Sequence, residues 1–159
     1  MNKDRRGLFL NFFLLFLGFS LLTRFTLLVM AWPELDSGLW VLIKMFAAGL
    51  LYDCAAFSYA GIAPTLYLLA LPEKIYAAAW HRLAVYGFFF IAAFLLAFNL
   101  AAEYYFFYEF GVRYNFIAVD YLVYTNEVLG NIRESYNLPV TLPMVTALAV
   151  GALWLFGRR

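Results

Sequence analysis

The chain has 159 residues, 66% hydrophobic, 21% aromatic and only 13% charged, with a formal net charge of +1. Soluble domains are about half apolar and about a quarter charged, so this composition excludes an ordinary soluble globule and indicates an all-α integral membrane protein with little soluble mass. The near-neutral balance offers no footprint for nucleic acid, and the single cysteine, Cys54, excludes an internal disulfide and has no Cys or His neighbour at metal-ligand spacing.

Lys3, Arg5 and Arg6 precede an apolar run, as in a secretory signal. The run is too long for a signal core, however, and no small-x-small cleavage site follows it, because the chain goes directly into Trp32-Pro33-Glu34. It reads as a retained first span over residues 8–31. A helix needs roughly 20 apolar residues to cross the hydrocarbon core, and residues 39–71, 83–102 and 138–156 also qualify.

The second run is too long for one straight span: at 1.5 Å per residue it extends roughly 50 Å. Either it is a tilted, kinked helix, or residues 39–51 form a short interfacial helix that leads into a span over 52–71. The second alternative is the working expectation. Lys and Arg gather at the N-terminus, in the 72–82 connector (Lys74, Arg82) and at Arg158-Arg159, all on one side of a four-span chain. Glu34, Asp36, Glu103, Glu109, Asp120, Glu127 and Glu134 fall on the other side, against Arg113 and Arg133. The positive-inside rule therefore places both termini in the cytoplasm and residues 103–137 outside.

That outer segment is expected to lie along the membrane surface. Tyr104, Tyr105, Phe106, Phe107 and Tyr108 follow the third span directly, and rings with an apolar body and a polar tip suit the headgroup level. Further on, Ile117, Tyr121, Tyr124, Val128 and Ile132 recur at helical steps, with Asp120, Glu127, Asn131 and Glu134 as a second, polar stripe and Asn115 as a cap. The pattern is an amphipathic interfacial helix. Its acidic balance argues against simple electrostatic docking on anionic lipid, which calls for Lys and Arg. It suits contact with another protein part, or with lipid through tyrosine hydroxyls and the two arginines.

Two charges fall inside the spans: Arg24 in the outer part of the first and Asp53 in the second. Each alone costs a few kcal/mol at mid-bilayer, about 3 by insertion scales, so each requires a partner or a cavity. A buried Arg24–Asp53 pair is the economical arrangement. In the rival arrangement Arg24 snorkels to Asp36 or to headgroup phosphate, while Asp53 bonds Tyr52 or Tyr59. Glu103, which ends the third span, is placed to meet Arg113 or Arg133. Those two arginines are the candidates for a lipid phosphate, which guanidinium contacts in bidentate fashion; pairing with Glu109 and Glu134 is the simpler alternative. His81 reads as an inner-interface residue, with Glu73 the one carboxylate near it.

The stretch RYNFIAVDYLVYTNEVLGNIRESY, from Arg113, resembles the N-terminal membrane region of bacterial lipoteichoic acid synthase and phosphoglycerol transferase-like proteins, of the sulfatase/alkaline phosphatase superfamily. The order of parts is similar as well: a basic start, a first span bearing Arg24, then Gly49-Leu50-Leu51-Tyr52-Asp53 leading through Pro64 to Leu71-Pro72-Glu73-Lys74. The resemblance implies residence in the bacterial cytoplasmic membrane. It also implies an enzyme that moves a phosphoglycerol-type group from a phospholipid, or cleaves a related ester, outside that membrane. In that family a fifth span leads to a large outer domain with a threonine nucleophile and a divalent metal, usually manganese. No catalytic residue and no metal ligand of that domain can be carried onto this chain, whose one histidine falls inside. The expectation is thus a membrane anchor and lipid-facing domain, truncated or encoded apart from its catalytic domain. Two other readings stand beside it: a self-sufficient small membrane protein that binds a partner through its outer helix, and a small transporter. Sequence motifs for soluble chemistry (a phosphate loop, a His-Glu metal signature, a Gly-x-Ser-x-Gly elbow) are not found.

Overall fold

The computed structural model describes residues 3–36, 38–115 and 137–157. Among them all regular structure is helical: α1 (Lys3–Ala31), a 3-10 turn (Trp32–Glu34), α2 (Leu39–Ala60), α3 (Ile62–Ala70), the single turn α4 (Glu73–Tyr76), α5 (Ala79–Phe110) and α6 (Leu138–Gly157). Four of these, α1, α2, α5 and α6, are long and apolar enough to cross a membrane. The all-α architecture and the four membrane-length helices agree with the composition. The amphipathic helix expected from residue 117 onward lies outside the described residues.

Two boundaries differ from the expectation. No break occurs between Leu51 and Tyr52, and α2 runs through both. The interruption falls ten residues on, where Pro64 has no N–H to offer the carbonyl of Ala60. Helical bonds from Gly61 N–H to Phe57 O (2.7 Å) and from Thr65 N–H to Gly61 O (3.0 Å) carry the chain across the bend. The run from 39 to 70 is therefore a kinked helix, and the span placed over 52–71 is not a separate element. The second difference lies beyond residue 102, where a surface segment was expected to begin. Helix α5 instead continues to Phe110, about 48 Å at 1.5 Å per residue. Nothing between Glu103 and Phe110 breaks a helix. Gly111 does: it takes a left-handed conformation (φ 67°) and its N–H closes on Phe107 O.

Helix α5 packs against both α1 and α6, while the α2–α3 pair leans on α1. In lipid the tails are as apolar as leucine, so helices associate through close packing and polar contacts rather than hydrophobic gain. Small residues supply the closeness: Ala93 and Ala97 on α5 and Ala149 on α6 are wholly buried, with Val145 beside them. Aromatic rings supply it elsewhere. Phe57 of α2 is enclosed by Phe9, Phe12, Phe13 and Phe16 of α1, with ring centroids 4.8–5.7 Å apart. A hydrogen bond between the Tyr105 and Thr141 hydroxyls (2.7 Å) joins α5 to the start of α6.

Candidate functional site

Three polar clusters interrupt the apolar bundle. The first lies between α1 and α2. Arg24 Nη2 donates to Gly49 O at 2.6 Å and meets Asp53 Oδ1 at 2.7 Å. Gly49 and Asp53 are one helical turn apart, so both face α1. Both charged side chains are buried. Gly49 is required for the approach: a Cβ there would overlap Arg24 Cζ and Nε and stand 2.8 Å from Nη2. The structure thus brings Arg24 and Asp53 together, and it leaves Tyr52 and Tyr59 exposed on the far side of α2. The Gly49–Asp53 motif acts as a receptor for the Arg24 guanidinium. Arg24 Nη1 and Asp53 Oδ2 are buried without a hydrogen-bond partner among the described residues, so the pair is strong but incompletely satisfied.

The second cluster lies at the far end of α5. Arg113 folds back onto Glu103, with Nε to Oε2 at 3.2 Å and Nη2 to Oε1 and Oε2 at 3.0 and 2.8 Å. The Glu103 side chain is buried while the Arg113 side chain is 54% exposed, so Arg113 braces the turn from an exposed position. Tyr114 packs on Phe106. Burial, reinforced by the Glu103 carboxylate, pushes its phenol from 10.0 up to about 12. The unfolded chain would release this proton near pH 10 and the folded chain near pH 12. The stability linked to Tyr114 is therefore whole below pH 10 and is lost as pH rises toward 12. An ultraviolet phenolate titration of the wild type minus Tyr114→Phe should show that late midpoint; a midpoint near 10 would show that Tyr114 does not pack beside Glu103. The remaining sequence candidates, Arg133 and the stripe Asp120, Glu127, Asn131 and Glu134, lie outside the described residues.

The third cluster, at the end of the bundle that holds the N-terminus, escaped the sequence reading, which used Arg5 only as a topological charge. Arg5 is buried, and its Nη1 donates to Leu68 O at 2.6 Å. The cause is local. Leu68 O would ordinarily bond the N–H four residues on, but that residue is Pro72, which has none. Arg5 therefore caps the C-terminus of α3, where a cation also suits the helix dipole. Its guanidinium carbon sits 4.9 Å from the centre of the Tyr76 ring, and Glu73 Oε1 is 3.8 Å from Nη2. Burial and the nearby Asp4 push the Tyr76 phenol up, with Arg5 pulling it back. His81 is buried against Tyr67, Tyr76 and Trp80. The signal that was available is the Leu68-x-x-x-Pro72 spacing, which announces an orphaned carbonyl.

Among the described residues no three His, Cys, Asp or Glu side chains come together as metal ligands. The geometry defines an all-helical bundle with membrane-length helices and polar clusters at both ends and between α1 and α2. The chain matches no protein-family model, no curated protein and no solved structure.

Proposed function

We propose that this chain is the membrane anchor and lipid-facing part of a phosphoglycerol transferase-like enzyme of the bacterial cytoplasmic membrane. Both termini lie in the cytoplasm, and residues 103–137 lie outside. The observation that carries the reading is the meeting of Arg24 with Gly49 and Asp53. These are separate parts of the resemblance, and their contact supports their being one membrane module. A bundle clamped in this way offers a fixed base from which a catalytic domain is held at the outer leaflet. Confining enzyme and lipid to one surface raises their effective concentration without any chemistry from the anchor. Exposed Arg113, and Arg133 further along, are the residues proposed to meet lipid phosphate there.

The second reading is a self-sufficient small membrane protein that binds a partner through its outer helix, which lies outside the described residues. Purification of the full chain from its native membrane distinguishes the two. The anchor reading expects a threonine- and metal-dependent transferase domain, either continuous with the chain or bound in equal amount. Recovery with an unrelated membrane protein, and no such domain, would support the partner-binding reading instead.

A further inference from the structure

We propose that the end of the bundle holding the N-terminus binds one anionic phospholipid, an acyl chain lying between α1, α3 and α5 and the phosphate meeting Arg5 and His81. A cavity of about 350 Å³ opens there, with apolar walls that include Phe9, Phe12, Pro64, Tyr67, Leu68 and Phe88. That volume is within the range of ligand pockets. The helices around it include two long and apolar enough to cross a membrane, so the apolar phase available to fill it is a lipid tail.

The cavity and the Arg5 cluster share walls. Leu68 lines the cavity and gives its carbonyl to Arg5; Tyr67 lines it and stacks on His81, with ring centroids 5.9 Å apart. Two buried nitrogens in this cluster, Arg5 Nε and His81 Nε2, have no hydrogen-bond partner among the described residues. Both side chains are more than nine-tenths buried, and both flank the Tyr76 ring, Arg5 at 4.9 Å and His81 at 5.1 Å. Buried polar nitrogens without a hydrogen-bond partner are costly. A phosphate oxygen, which accepts strong bonds from guanidinium and imidazole, is the acceptor that suits them. Charge agrees: Arg5, Arg6, Lys74 and Arg82 outnumber Asp4 and Glu73 at this end. Glu73, at 3.8 Å and largely exposed, leaves Arg5 with donor capacity to spare.

The site is at the opposite end from Glu103 and Arg113 and does not rest on the anchor role. Native mass spectrometry of the full chain, titrated in detergent with phosphatidylglycerol or with phosphatidylcholine of the same acyl chains, tests it. One phosphatidylglycerol should be retained, about tenfold more tightly than phosphatidylcholine, which has the same phosphate but a choline cation that the excess of Arg and Lys at this end repels. Arg5→Gln should abolish that preference. Ala84→Phe, on the cavity wall, removes no charge and should block both lipids while thermal unfolding stays as in the wild type. Equal retention of the two lipids by the wild type, or wild-type retention of phosphatidylglycerol by Ala84→Phe, would overturn the proposal.

Discussion

Replacing Asp53 with alanine should lower the unfolding free energy of the detergent-solubilised chain by about 3 kcal/mol. The effect is large because the substitution does more than remove one 2.7 Å contact. It leaves Arg24, buried against α2, with a charge that among the described residues is answered by the Gly49 carbonyl alone. An uncompensated buried charge is the expensive outcome, whereas replacing both partners by apolar residues of similar size is often close to neutral. Arg24→Leu combined with Asp53→Leu should therefore recover most of what either single change loses. Asp53→Asn keeps the shape and an acceptor oxygen and should fall between the wild type and alanine. Denaturant or thermal unfolding midpoints for these variants and the wild type read this out. If the single replacements melt with the wild type, the pair does not hold α1 to α2.

Gly49→Ala carries the second large effect, and its sign should depend on what faces it. In the wild type the new Cβ overlaps the guanidinium that Asp53 and the Gly49 carbonyl hold in place. The arginine must leave its bonds or the helices must part, at a cost of about 2 kcal/mol. In an Arg24→Ala, Asp53→Ala background that obstacle is gone. Alanine is then the better helix residue by about 1 kcal/mol, and the same substitution should stabilise. A destabilising Gly49→Ala in both backgrounds would show that Gly49 is needed for some reason other than Arg24.

These clusters also show which features of the chain are local and which are not. The four membrane-length helices were legible because crossing length and hydropathy are properties of a contiguous run. The end of α5 has a local cause too, since Gly111 takes the left-handed turn that closes the helix and that glycine adopts without strain. The expectation that a surface segment begins at Glu103 gave weight to tyrosine content, which does not break a helix. In the same way, the break placed at Leu51 came from a length argument. The backbone chemistry of Pro64 marked the true position.

The polar clusters divide along the same line. That Arg24 and Asp53 each need a partner followed from the cost of a charge in hydrocarbon. That they take each other, rather than Asp36, Tyr52 or Tyr59, depends on the rotation of α1 and α2 about their axes. The ring of α1 phenylalanines around Phe57 belongs to the packing that sets that rotation. Arg5 illustrates the limit more sharply. Pro72 announces that Leu68 O lacks its usual donor, yet nothing in the linear order says that a residue 63 positions earlier will supply it. Hydropathy and proline placement are written into adjacent residues, and they specified the spans and the groups in need of partners. Which residue answers each need was settled by helices brought side by side, because a hydrogen bond depends on distance and angle between groups the sequence holds far apart.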